Sequence, residues 1–196
     1  MNIQSSVSGA RSGGAFEHYH DADPQSLRAS SAERERFRHQ SIMGALSRRY
    51  YAHAFEAGCG AGELTAQLAR TCDRVTAIDL AHTEVARARV RCGPWGSADI
   101  RCEDIRTYVP EDAVDLIVFS EIGIYFSAPE LVRIARNLAS RMISGGEFIA
   151  AHWLNPRMDR VLHADAVHYQ LLANLPLRWL TGERHGGLRI DVWQSS

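Results

Sequence analysis

Phe55-Glu-Ala-Gly-Cys-Gly-Ala-Gly-Glu-Leu-Thr65 places glycine at alternate positions, 58, 60 and 62, behind a short apolar run closed by the acid Glu56. Glycine lacks a Cβ, so such a loop turns tightly and lets a ligand lie against the backbone. A helix from about Glu63 to Arg70 is expected next, with N–H groups at its start that have no partner inside the helix. Strand, loop and helix together are therefore expected to receive a nucleotide-like ligand. A chance glycine-rich turn is the competing reading. The spacing is not the dinucleotide fingerprint G-x-G-x-x-G, whose third glycine packs helix on strand. Here it is G-x-G-x-G, with an acid two residues ahead of the first glycine.

Working outward, Val75-Thr-Ala-Ile-Asp79 is a β-branched and apolar run that ends in a carboxylate. An acid at the tip of the second strand of a βαβ unit can accept from both ribose hydroxyls, so Asp79 supports the fold more than the identity of the ligand. Ile100-Arg-Cys-Glu-Asp-Ile105 is a third short strand candidate carrying the acid Asp104, for which a helix or turn cap is the alternative. Val114-Asp-Leu-Ile-Val-Phe-Ser120 is nearly continuous in apolar residues, as a central strand covered on both faces should be. Helices are expected over about Ser31–Arg48, Thr83–Arg91, Pro129–Met142 and Asp165–Leu175, and further strands over Ala52–Glu56 and Glu147–His152. Ser30 or Ser31 would cap the first helix, whose apolar stripe is Phe37, Ile42, Met43 and Leu46. Gly145-Gly146 is expected to end the unit that begins at Pro129. Such alternation predicts an α/β fold with a doubly wound, mostly parallel sheet. The end differs: Leu177–Thr181 and Leu188–Trp193 flank Gly186-Gly187 and read as an antiparallel hairpin.

The composition bounds the function. At 196 residues the chain is expected to hold one main domain. Its 45% hydrophobic and 23% charged residues are ordinary for a soluble protein. With 22 Lys and Arg against 23 acids there is no electrostatic case for nucleic acid. No apolar run is long enough to span a bilayer, so no membrane partner is expected. Residues 1–15, rich in Ser and Gly, read as a disordered leader without the apolar core of a signal peptide. Residues 16–50 are assigned to a helical lid and 51–196 to the ligand-binding domain. Cys59, Cys72, Cys92 and Cys102 form no C-x-x-C pair, which points to free thiols and a cytoplasmic location. The dispersed histidines, among them His18, His20, His163 and His168, give no metal site. Oligomeric state is left open.

Over roughly residues 30–193 the chain resembles class I S-adenosylmethionine (SAM) methyltransferases, and within them it looks most like the nodulation protein S group. The resemblance rests on Phe55–Thr65, on Cys72-Asp-Arg-Val-Thr-Ala-Ile-Asp79 and on Val114-Asp-Leu-Ile-Val-Phe-Ser-Glu-Ile-Gly-Ile-Tyr-Phe126. Gly145-Gly146 and Ala150-Ala-His-Trp153 add to it. The ending, with Asp165-Ala-Val-His168 and Ile190-Asp-Val-Trp193, also resembles bacterial relatives that are not nodulation proteins. The resemblance implies a Rossmann-like, seven-stranded sheet closed by the C-terminal hairpin, and SAM as the methyl donor.

It further implies that Glu56, Gly58, Cys59, Gly60, Gly62 and Leu80 hold the cofactor, with Asp79 at the ribose. Asp104 would lie near the adenine amino group, the N–H of Ile105 near a ring nitrogen, and the carbonyl of Ser120 near the methionine amino group. The founding members of the group N-methylate a deacetylated glucosamine oligosaccharide, so the implied partner is a small-molecule acceptor, first an amino sugar. Glu121, Tyr125 and His152 are the acceptor-side candidates, since ligands lie outside the carboxyl ends of strands in open α/β sheets. Each has a plainer reading: a cap or ion pair for Glu121, packing for Tyr125, a satisfied interior imidazole for His152. Arg36, Phe37 and His39 could reach over the cofactor from the first helix, and Trp153, His163, His168 and Trp179 could line the acceptor pocket. Three other activities compete. They are O-methylation of a small metabolite, a non-catalytic SAM- or partner-binding domain, and an NAD-dependent oxidoreductase, the last disfavoured by the glycine spacing.

Overall fold

A computed structural model describes residues 30–154 and 161–196. The expected leader, and residues 16–29 with His18 and His20, lie outside the described residues. Strands β1 (Tyr51–Ala57), β2 (Cys72–Asp79), β3 (Ala98–Cys102), β4 (Val114–Ser120), β5 (Met142–Trp153), β6 (Arg178–His185) and β7 (Leu188–Gln194) form one sheet. Its order is β3-β2-β1-β4-β5-β7-β6. The first five strands pair in parallel. β7 inserts antiparallel between β5 and β6. The doubly wound sheet and its closing hairpin therefore match the reading of the sequence. After β3 the chain returns to the opposite side of β1. Loops leaving β1 and β4 consequently diverge, and a crevice opens at their carboxyl ends.

Helices α1 (Ser31–Ala45), α2 (Glu63–Leu68) and α3 (His82–Cys92) cover one face, and α4 (Ala128–Ala139) and α5 (Ala164–Asn174) the other. Strand side chains alternate between the two. On β4, Leu116 and Val118 enter the first core while Ile117 and Phe119 enter the second. All of β4 is buried, which is why its sequence is almost unbroken in apolar residues. On β1, Ala54 faces the first core and Phe55 and Ala57 the second, so Glu56 points toward α2.

Besides α4, which ends at Ala139 with Met142 already in β5, and β3, which ends at Cys102 short of Asp104, two elements depart from the expected pattern. α1 ends at Ala45, short of Arg48, because Leu46 is already extended (φ −68°, ψ 131°). It starts with a capping box between Ser30 and Glu33. Its buried residues are His39 and Ile42, whereas Phe37 is 40% exposed. The second departure is Gly145-Gly146, which lies inside β5 instead of ending the preceding helical unit. Met142 pairs with Val114 and Glu147 with Leu116, so the residues between bulge outward, with Gly145 at φ 77°. Ser195 satisfies the bulge by accepting from the Gly145 N–H and donating to the Gly146 carbonyl. All four cysteines are free thiols. Among the described residues no helix is long and apolar enough to cross a membrane.

Candidate functional site

The glycine loop leaves β1 at the switch point, with Gly58, Gly60 and Gly62 at φ 73°, 51° and 78°. L-residues with a Cβ avoid this region, so all three positions call for glycine. Their surroundings differ. A Cβ on Gly62 would sit 2.9 Å from Ala88 Cα, so this glycine lets α3 pack against the loop. A Cβ on Gly60, which lines the first hollow described below, would meet nothing within 4 Å. The Gly58 and Cys59 N–H groups both donate to the Ile78 carbonyl (2.9 Å each), and the Gly60 N–H donates to Asp79 Oδ2 (2.9 Å). Asp79 Oδ1 accepts from the Ala81 N–H at 2.9 Å. Asp79 thus shapes the loop as well as standing beside it.

Two hollows meet at Gly58. The first, about 240 Å³, is lined by Glu35, Arg38 and His39 of α1, by Glu56, by the loop from Gly58 to Ala61, and by Ser120. Arg38 donates to Ser120 Oγ and to Glu35. Its Nε, though buried, has no hydrogen-bond partner. A buried donor without an acceptor is costly, and it marks where an anionic group would be held. Glu56 is 3% exposed and accepts from the Thr65 hydroxyl at 2.6 Å. Burial, helped by Asp79 and opposed by Thr65 and Arg38, pushes its carboxyl up to about 7. His39 is pushed down by burial and by the Arg38 charge, so its ring is neutral at pH 7.

The second hollow, about 540 Å³, is lined by Ile78, Asp79, Leu80, Asp104, Ile105, Arg106, Ile122, Tyr125 and Phe126. Asp104 Oδ1 accepts from the Arg106 N–H at 2.9 Å. Nine of the ten residues expected at the cofactor fall on one hollow or the other: Glu56, Gly58, Cys59, Gly60 and Ser120 on the first, Asp79, Leu80, Asp104 and Ile105 on the second. Gly62 alone lies behind, as the packing glycine.

The acceptor-side candidates do not converge. Glu121 is, among the described residues, the one non-glycine residue at positive φ (55°), and its Oε1 accepts from the Trp153 N–H at 2.6 Å. Tyr125 is 61% exposed and lines the second hollow. His152 is fully buried and hydrogen-bonded to His168 at 3.1 Å, the arrangement of an interior imidazole. The other named residues scatter too. Trp153 packs beneath α1 against Phe37 and Arg34, with its Nε1 buried and unpartnered. His163 caps α5, and Trp179 donates to Asp191 on the hairpin. Arg36 is exposed; Arg38, which sequence reasoning passed over, is the α1 arginine that reaches the crevice. It stands four residues before the buried Ile42, on the inward side of the helix.

This sheet order, with a hairpin closing a parallel core and a glycine loop at the switch point, is the class I methyltransferase fold. The family described as nodulation protein S (NodS) matches residues 17–168, and the chain belongs to that family. Nodulation protein S of Sinorhizobium fredii is 33% identical over 128 residues, covering 65% of this chain and 59% of that one. The match thus spans less than two thirds of that relative's length. A crystal structure from Pseudomonas syringae, provisionally described as a methyltransferase, is 31% identical with a TM-score of 0.71, covering 82% of this chain and 97% of the other. The N-methyltransferase NodS from Bradyrhizobium japonicum, in complex with S-adenosyl-L-homocysteine, has a TM-score of 0.73 at 23% identity and covers 90% and 93% of the two chains.

Proposed function

We propose that this protein is a SAM-dependent methyltransferase that methylates the amine of a small molecule, with the amine of a deacetylated amino sugar as first choice. The observation that carries the reading is the pair of hollows joined at Gly58. A polar hollow holding a guanidinium with an unsatisfied N–H, and carboxylates beside it, suits an amino-acid end. A larger hollow lined by the carboxylates Asp79 and Asp104 and by the apolar Ile105 and Phe126 suits an adenosine. SAM has both ends, and when bound it supplies a methyl on a sulfonium for in-line attack.

The chain's own residues then hold and orient. Arg38 binds the carboxylate of the amino-acid end, and Glu56 and the Ser120 backbone serve its ammonium side. Asp79 accepts from the ribose, and Asp104 and the Ile105 N–H read the adenine. α1 acts as the lid over the first hollow. Positioning of this kind is worth roughly 7–11 kcal/mol of barrier when two reactants are held at near-attack distance. Glu121, at the carboxyl end of β4, is the group assigned to receive the acceptor's ammonium and take up its proton. Its strained φ is in keeping with such a site.

The choice of amine over hydroxyl comes from the family and from the N-methyltransferase among its folded relatives. The test is methyl transfer from labelled SAM to glucosamine oligomers bearing one free amine, run beside their fully acetylated counterparts and a phenolic acceptor. Transfer that requires the free amine supports the reading. Transfer to the phenol alone would establish O-methylation, and cofactor binding without any transfer would leave a binding domain.

A further inference from the structure

Behind the crevice, and on neither hollow, runs a line of buried hydrogen bonds. The Gly123 N–H donates to His152 Nε2 at 3.2 Å. His152 Nδ1 lies 3.1 Å from His168 Nε2, and His168 Nδ1 lies 2.5 Å from Asp191 Oδ2. Both rings are 0% exposed and Asp191 is 2% exposed. The direction of the line follows from its first member. A backbone N–H can only donate, so His152 Nε2 carries no proton. A neutral ring then has its proton on Nδ1 and donates it to His168 Nε2. His168 in turn carries its proton on Nδ1 and donates to Asp191.

Burial depresses His168, against the pull of Asp191, and favours the neutral ring. Asp191 is the anchor. Burial works to raise its carboxyl, but the His168 contact, the Arg189 charge and the Trp179 indole outweigh burial and hold it below the ordinary value. It also accepts from Arg189 Nε at 2.8 Å and from Trp179 Nε1 at 3.2 Å. Three donors on two oxygens suit a carboxylate and defeat an amide, which must turn an NH₂ toward at least one of them.

At the other end stands the short 3₁₀ turn Gly123–Tyr125. Its neighbours Ile122 and Phe126, with Tyr125 itself, form one wall of the second hollow. The turn is wedged tightly: a Cβ on Gly123 would come within 2.5 Å of Val167 Cγ1 and 3.2 Å of His152 Nε2. We infer that His168 and Asp191 are positioning residues, which lock His152 in its Nδ1–H form so that Nε2 pins the Gly123 N–H and with it the wall of that hollow. The effect on ligand binding rests on the reading above, that this hollow takes the adenosine. With the opposite tautomer, two N–H groups would face each other where one bond now stands.

The test uses the full chain, first without ligand. A two-bond ¹H–¹⁵N correlation spectrum should show both rings protonated at Nδ1; a His152 protonated at Nε2 would overturn the inference. His168→Gln keeps an acceptor toward His152 and a donor toward Asp191, whereas His168→Leu removes both. Gly123 amide exchange should stay near the wild-type rate in the glutamine variant and rise about tenfold or more in the leucine variant, with β4 amides unchanged. Affinity for S-adenosyl-L-homocysteine should fall about fivefold or more with leucine and recover with glutamine. A leucine variant with a protected Gly123 and undiminished affinity would refute the inference. If the wild type itself does not bind the ligand, the adenosine reading fails, while spectrum and exchange still decide the tautomer and the pin. Should the leucine variant not fold, the wild-type spectrum and the glutamine variant decide alone.

Discussion

Replacing Gly60 and Gly62 one at a time by alanine should separate ligand contact from packing within the same loop. Both residues are in the left-handed region, at φ 51° and 78°, so each alanine carries about 1–2 kcal/mol of backbone strain. They differ in what the new methyl meets. At Gly62 it would lie 2.9 Å from Ala88 Cα and Cβ and 3.2 Å from Cys92 Sγ. Ala88 Cα belongs to a helix backbone and cannot swing aside, so overpacking adds about 1–3 kcal/mol. Gly62→Ala should therefore lose about 2–5 kcal/mol. At Gly60 the methyl meets no protein atom, so the loss should stay at about 1–2 kcal/mol. Gly60 lines the first hollow, where the cofactor would lie close to the loop backbone, and affinity should drop about tenfold or more, which is about 1.4 kcal/mol of binding. Urea unfolding of the ligand-free proteins and calorimetric titration with S-adenosyl-L-homocysteine measure the two effects separately. The reasoning is refuted if Gly60→Ala destabilises as much as Gly62→Ala, or binds the ligand as tightly as the wild type.

Three further outcomes are expected. Glu56 is raised to about 7 from the ordinary 4.5, so the folded chain keeps a proton that the unfolded chain releases, and stability falls as pH rises through that window. At about 1.4 kcal/mol per pH unit the loss approaches ~3 kcal/mol above pH 7. Glu56→Gln can still accept from Thr65, so urea midpoints at about pH 5 and pH 8 should show it gaining on the wild type at the higher pH; parallel curves would contradict this. Arg38→Ala should weaken S-adenosyl-L-homocysteine roughly 10- to 100-fold, the worth of a hydrogen bond to a charged group, and leave methylthioadenosine, which lacks the amino-acid end, unchanged. Equal losses for both ligands would remove Arg38 from the carboxylate. Glu121→Gln retains an acceptor for the Trp153 N–H. It should slow methylation of the amine roughly 100-fold, the lower end of general-base effects. An unchanged rate would take Glu121 out of the proton transfer.

Much of the lining of the two hollows was legible in advance because its signals are local. Alternating glycines permit a tight turn through positive φ whatever surrounds them, and Asp79 and Asp104 are found by counting strand ends. Arg38 was missed for Arg36 because neighbouring positions on a helix point about 100° apart, and two residues turn a side chain to nearly the opposite face. Only the packed position of α1 shows which face meets the crevice. Gly145-Gly146 looked like the end of a unit because its hydrogen-bond partner, Ser195, is remote in the chain.

By itself, then, the sequence determined the glycine loop, the parallel sheet with its C-terminal hairpin, and the acids at the strand tips, since backbone dihedrals and side-chain alternation act over a few residues. Tertiary structure decided which glycine packs and which is left open on the first hollow, and it placed the Arg38 guanidinium beside Ser120. It also drew His152 away from the open crevice into the line through His168 to Asp191, residues 16 and 23 positions apart at its two steps. Imidazole and carboxylate take their role from the partner they meet after folding, and that partner is not encoded in the neighbouring sequence.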